Sequence, residues 1–386
     1  MSALSHRLIA LVLASGCYVA SAQVSAPPAP LPVPRTALNF DAVTRPPVPA
    51  DPLELVTGPA QAVDTPEQRL TAIAVLERAH NLSNVRAQAY DLKTSFTSTG
   101  GSASDGNWML EDTSPSRAIY RWTAQGPAYS VINLYTNTTK GILYSSLPAG
   151  TVPLRLEQVR EALFFVYPPT GPLASLRTAT GYLNGVQQNC LLIINGYRGP
   201  ALTGARNWLE SEFCMDAATG LLTTYSPAPG LFVHYDYSSA ISFHGKSIAG
   251  AFTITEGGHP VIEARTLSVT DPSDPKSAIF DSAGLTPLGV GREMTPAARV
   301  RGLIPSFNRM PGSASAANPV VQVVALHGNA GPDGKLTEVG ILASSDASMN
   351  QAALDRTAMW GTGNRSQPGA TGQSNEVFFT WEFATY

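Results

Sequence analysis

The chain has 386 residues, of which 44% are hydrophobic and only 14% charged, with a formal net charge of −3. That length implies two or three domains, and the charge balance excludes a basic footprint for nucleic acid or a polybasic patch for a membrane surface. Sparse charge together with 33 glycines and 31 prolines points to a β-rich protein outside the cytoplasm.

Residues 1–22 read as an export signal: His6 and Arg7 give a short positive region, Leu8 to Ala14 is apolar, and Ala20-Ser21-Ala22 is a small-residue cleavage site. The run from Leu8 to Ala22 is about fifteen residues and contains Ser15, Gly16 and Ser21, short of the roughly twenty apolar residues that span a bilayer. An uncleaved anchor is the alternative, and lipidation of Cys17 after Ala14-Ser15-Gly16 is another. Residues 23–64 carry proline-rich stretches at 26–34 and 45–49 and read as a semi-rigid polyproline spacer.

The stretch 65–288 carries two helices among many strands. Thr65 caps the first helix, Pro66 occupies its first turn and Gln68 closes a capping box, with Leu70, Ile73 and Ala74 as the expected apolar stripe. Tyr90, Leu92, Thr94 and Phe96 then alternate with Asp91, Lys93, Ser95 and Thr97, a half-buried strand. Strands follow at 117–123, 129–135 and 141–144, and a second helix over about 153–166 presents Leu156, Val159 and Leu163 on one face. Asn184-Gly185 marks a type I′ hairpin. Further strands are expected at 189–194, 208–216, 221–226, 232–237, 246–256 and 261–270.

Without Cys17, Cys190 and Cys214 remain as an even pair, expected to form a disulfide in an oxidising compartment. It would close a loop of about 25 residues and stabilise by about 3 kcal/mol. Residues 289–317, with Arg299, Arg301, Arg309 and many small residues, read as a linker.

From 318 to 386 the pattern is strand, turn at 331–334, strand, helix, strand. Ser348 with Gln351 gives a capping box, and Met349, Ala353 and Trp360 can share one helix side. In the final strand Val377, Phe379, Trp381 and Phe383 fall on one face. Asp333-Gly334, Ser344-Ser345, Ala352-Ala353-Leu354-Asp355, Gly369, Gly372 and the terminal Trp381 to Phe383 together resemble the TonB C-terminal domain. The resemblance implies a small β-β-α-β domain that docks an outer-membrane transporter or another envelope protein, partly by strand addition at the edges near 320–326 and 375–383. It makes Val377, Phe379, Trp381 and Phe383 the expected partner-binding residues. The Tyr-Pro usual before the first strand of that family is here Asn318-Pro319.

The order of elements in 65–288, with the phrase from Glu212 to Leu221 and Asp281 after Ile279-Phe280, resembles the outer-membrane lipoprotein-sorting fold. That resemblance implies a curved antiparallel sheet wrapped on helices around an apolar concavity able to shelter an acyl chain. Trp108, Trp122, Tyr135, Phe164 and Phe165 are its candidate lining. The fold class expected overall is α+β.

Enzyme motifs are few. Ser273 and Lys276 have Ser-x-x-Lys spacing, but Pro272 and Pro275 prevent the helical turn that would aim the lysine at the serine. Gly334-Lys335 lacks the rest of a phosphate-binding loop. His234 and Asp236 share a strand face, and His244 and His259 could approach them to hold a metal, as a metal-dependent hydrolase would require. No cofactor motif is present. The expectation is an exported envelope protein that binds rather than catalyses, with a TonB-type energy transducer as the alternative.

Overall fold

The computed structural model describes residues 60–86, 88–99, 105–116, 118–127, 129–136, 141–147, 153–165, 174–194, 206, 210–272, 278–290, 307–310, 320–330, 336–344, 346–359 and 376–385. The expected signal, Cys17, residues 23–59 of the expected spacer and the Ser273/Lys276 pair lie outside them, whereas the end of that spacer, 60–64, is part of the fold and holds a strand.

Strand β1 (Gln61–Ala62) leads into helix α1 (Pro66–Ser83). β2 (Tyr90–Ser98), β3 (Gly106–Ser116), β4 (Ile119–Gln125), β5 (Ser130–Thr136) and β6 (Ile142–Ser145) form a first meander, followed by α2 (Leu154–Leu163). β7 (Ser175–Leu183), β8 (Val186–Ile194), β9 (Ser211–Asp216), β10 (Leu222–Ala228) and β11 (Leu231–Asp236) begin a second. A small hairpin of β12 (Ile241–Phe243) and β13 (Lys246–Ile248) interrupts it before β14 (Ala251–Glu256), β15 (His259–Thr270) and β16 (Thr286–Val290). The C-terminal part holds β17 (Phe307–Met310), β18 (Val320–Ala330), β19 (Leu336–Ser344), α3 (Asn350–Met359) and β20 (Glu376–Thr385).

Fourteen strands make one antiparallel sheet in the order β1-β7-β8-β9-β10-β11-β14-β15-β2-β3-β4-β5-β6-β16. Laid flat at about 4.8 Å per strand it would extend roughly 60 Å. Instead, Trp108 and Trp122 from one end share a single core with Leu191 and Phe213 from the other, together with Leu76 of α1 and Val159 of α2. The sheet is therefore curled around the two helices, as the sequence led one to expect.

Local chemistry explains much of this. Thr65 Oγ1 accepts from the Gln68 amide and Gln68 Oε1 accepts from the Thr65 amide, both at 3.2 Å, so the capping box forms as read. Asn184 (φ 50°) and Gly185 (φ 80°) supply the paired left-handed residues of a type I′ turn between β7 and β8. The inner stripe of α1 is Ala72, Leu76 and Ala79, whereas Leu70 is 69% exposed. The expected strand 246–256 divides into β13 and β14, because Gly250 sits against the Ser239 backbone where no side chain fits.

The C-terminal part corrects the expected fold. It is not a β-β-α-β module: the sheet has four strands in the order β17-β20-β18-β19, and β17, from within the expected linker, pairs in parallel with β20. Nor is its core its own. Ala325, Leu342, Ala343 and Phe378 are buried in the core of the large sheet, while Val324, Leu326, Trp381 and Ala353 of α3 pack on the opposite face. The helix cap is Asp346, whose Oδ1 accepts from the Ser348 amide ahead of a short 3-10 turn (Ala347–Met349), so Ser348 is not the N-cap. Gln351 instead bonds Asp355 at 2.8 Å.

Candidate functional site

The concave side of the large sheet is filled by α2, which is buried along nearly its whole length although four of its buried residues are polar. Each finds a partner on the wall, as buried polar groups must. Arg155 and Gln158 both donate to Glu256 Oε1. Arg160 pairs with Asp112 at 3.1 Å and lies 4.0 Å over the Trp122 ring, and the Tyr90 hydroxyl donates to the same Asp112 at 2.9 Å. The Tyr225 hydroxyl donates to Glu161 at 2.7 Å, and the Tyr235 hydroxyl to the carbonyl of Ala162 at 2.7 Å.

Burial decides the charge state of these groups. It pushes Glu161 up to about 8, so its carboxyl is protonated at neutral pH. It also raises Asp112, against the pull of Arg160. For Glu256 burial acts upward too, but Arg155, His327 and the Gln158 hydrogen bond outweigh it and hold the carboxyl below its ordinary value.

Of the aromatic residues expected to line a cavity, Trp108 borders an open space of about 700 Å³ together with Phe96 and Phe252, and Trp122, Tyr135, Phe164 and Phe165 are packed core. Trp108 stacks on Phe96 at 5.5 Å and tilts against Tyr129, and its ring fills the space beside Gly126. Tyr135 stacks on Tyr120, Phe164 packs against Tyr90, and Phe165 meets His80 edge-on. Trp122 lies under Arg160.

A second open space lies elsewhere. The N-terminal half of α1 stands off the inner face of β7, β8 and β9, leaving a groove of about 840 Å³. Val63, Ala72, Leu191 and Met215 give it an apolar floor, and Val75, 41% exposed, stands at the lip. Thr71, Thr178, Thr180, Asn189, Gln61 and Gln68 make a polar rim. Two anchors keep α1 in place at this end: the Val63 amide donates to the Leu176 carbonyl at 2.9 Å, and Arg69 donates to the Ala174 carbonyl at 2.9 Å. The sequence reading missed this groove because β7 is rich in Thr, Ala and Gly and carries no strong apolar alternation. The readable signal was the inward pair Leu191 and Met215, on strands that were expected.

The candidate metal group does not assemble. His234 Nδ1 lies 3.2 Å from Thr224 Oγ1, Asp236 accepts from the Ser238 amide, His244 pairs with Asp271 at 2.7 Å, and His259 is buried at the start of β15. Among the described residues, the group close enough to share an ion is Cys190, Glu212 and Cys214, and both of its sulfurs are joined in a disulfide between β8 and β9. That donor set does not fit a metal.

Of the four expected partner-docking residues, Trp381 has a described side chain. Trp381 is 1% exposed, faces α3, and donates from Nε1 to Thr357 Oγ1 at 2.7 Å. The side chains of Val377, Phe379 and Phe383 lie outside the described residues. β18 runs between β20 and β19, and β20 between β17 and β18, but β17 pairs only with 382–385 of β20 and β19 only with 324–330 of β18, so each expected edge is covered in part among the described residues. Among the described residues no helix is long and apolar enough to cross a membrane.

No family model matches the chain, and no curated protein sequence matches it. Among solved structures, a LolA superfamily protein from Nitrosomonas europaea is similar at 8% identity and a TM-score of 0.39, over 53% of this chain and 94% of that one. A second, described as an outer-membrane lipoprotein-sorting protein domain from Vibrio parahaemolyticus, is similar at 9% identity and a TM-score of 0.32, over 52% of this chain and 92% of that one.

Proposed function

We propose that this is an exported binding protein of the cell envelope that holds the apolar part of an amphiphilic ligand in the groove between α1 and β7–β9. The observation that carries the reading is the groove itself, at about 840 Å³ with an apolar floor and a polar rim. That size falls in the roughly 300–1,000 Å³ range of ligand pockets. Eight methylenes buried there contribute on the order of 6 kcal/mol before the cost of lost freedom is subtracted. The Cys190–Cys214 disulfide supports an oxidising compartment.

The test is a titration with N-phenyl-1-naphthylamine, a neutral apolar fluorophore that brightens when shielded from water. The wild-type protein should bind it saturably. Thr178→Trp, which places an indole in the groove from an exposed strand position, should weaken binding at least tenfold without lowering the melting temperature. Binding unchanged by Thr178→Trp, or no binding by the wild type, overturns the reading.

A further inference from the structure

The composition of the groove selects among amphiphiles. We infer that its occupant carries an uncharged, hydrogen-bonding head such as a glycerol, and that fatty acids and anionic phospholipids are disfavoured; this rests on the reading of the groove as the binding site. Among the fifteen residues that line it, Glu67 is the sole charged one, and no lysine or arginine is among them. The basic residues nearest in sequence are engaged elsewhere. Arg69 turns to the Ala174 carbonyl, and Arg177 lies on the opposite face of β7, buried against Glu210.

A helix N-terminus would ordinarily attract an anion at such a mouth. Here the start of α1 is defused three ways. Pro66 has no amide hydrogen to offer. The Gln68 amide is taken by Thr65 Oγ1. Glu67 places a carboxylate in the first turn. What remains for a head group is the array of hydroxyls and amides of Thr178, Thr180, Asn189 and Gln61, since the Thr71 hydroxyl donates to the Glu67 carbonyl and Gln68 Oε1 accepts from the Thr65 amide. Such groups both donate and accept, which suits a polyol or amide and gives a carboxylate or phosphate no counter-charge. A single negative head about 4 Å from the solvated Glu67 carboxylate is opposed by an interaction equivalent to about fivefold in affinity.

The experiment displaces bound N-phenyl-1-naphthylamine with monolauroylglycerol or laurate, equal in chain length and both kept below their micellar concentrations, at pH 8 and low salt. Monolauroylglycerol should compete at least fivefold better than laurate in the wild type. Glu67→Gln should narrow the ratio, Glu67→Lys should abolish or reverse it, and high salt should shrink it. Equal competition by the two ligands in the wild type, or a ratio that survives Glu67→Lys, overturns the head-group inference while leaving the groove reading intact. Failure of both ligands to displace the probe, or displacement that persists at wild-type strength in Thr178→Trp, overturns the groove reading and this inference with it.

Discussion

Glu161 lies on α2 with its carboxyl accepting from the Tyr225 hydroxyl, deep between helix and sheet. Burial raises it from an ordinary 4.5 to about 8. The native state therefore holds a proton that the unfolded chain releases between those two values. Stability is then highest below pH 4.5 with respect to this group, falls as pH rises toward 8, and levels off above. The accumulated cost at pH 7 is on the order of 3 kcal/mol. Glu161→Gln keeps an acceptor for Tyr225 and removes the titration. We expect the variant to gain stability over the wild type progressively from pH 5 to pH 8 in urea denaturation; parallel curves across that window would refute the assignment. The Asp112 site behaves in the opposite sense when cut. Asp112→Ala leaves Arg160 buried without its carboxylate and should cost about 3–5 kcal/mol, whereas removing the exposed Glu111, which pairs with Lys93 at 3.0 Å, should cost under about 1 kcal/mol. None of these pairings was legible in the sequence. The sequence marked only Leu156, Val159 and Leu163 as the inward face of this helix, and it is the sheet closing over the rest that buries Arg155, Gln158, Arg160 and Glu161.

Among the elements, those with a strong local signal were readable. The Thr65 box, the Asn184-Gly185 hairpin and the alternation of β2 all stand where the residues placed them. β1 and β17 were not readable, since two and four residues carry no period and form strands only because β7 and β20 present edges to them. The stripe of α1 was partly misplaced: Ala72, Leu76 and Ala79 set the inner face with Ile73 packed beside them, and Leu70 falls on the other side of the helix, in solvent. Two glycines test how elements meet. Gly185 and Gly257 both have positive φ, but a Cβ at Gly185 meets nothing within 4 Å, whereas at Gly257 it would fall 2.9 Å from the Leu342 Cβ. Gly185→Ala should cost about 1 kcal/mol, for backbone conformation alone. Gly257→Ala adds a clash between the β14–β15 turn and β19, and should cost about 2 kcal/mol more. Equal denaturant midpoints for the two variants would show that the turn and β19 do not press together.

Across the whole molecule, the C-terminal sheet contributes Phe378, Leu342, Ala343 and Ala325 to the core it shares with the large sheet. A chain ending at Val290 uncovers that contact, and should lose about 3 kcal/mol or more, since each large apolar side chain buried contributes about 1.5–3 kcal/mol. The fragment 318–386 lacks both β17 and its packing surface and should show no cooperative melt by circular dichroism; an independently folded fragment would restore the idea of a separate domain. A repeating two-residue period announces a strand without saying how many neighbours it has or what covers each face. For that reason the order of elements was legible and the sharing of one core was not.

The pairing of β15 with β2 joins the two meanders into one sheet, matching Thr270 with Asp91 and Ile262 with Ser98. These segments emerge from the ribosome far apart in time. Until the later one arrives, the first meander has an unsatisfied row of backbone donors and acceptors along its Tyr90–Ser98 side, open to any passing strand. Such distant closure is slow, and any interruption of synthesis before Thr270 leaves a sticky half-sheet rather than a smaller working protein.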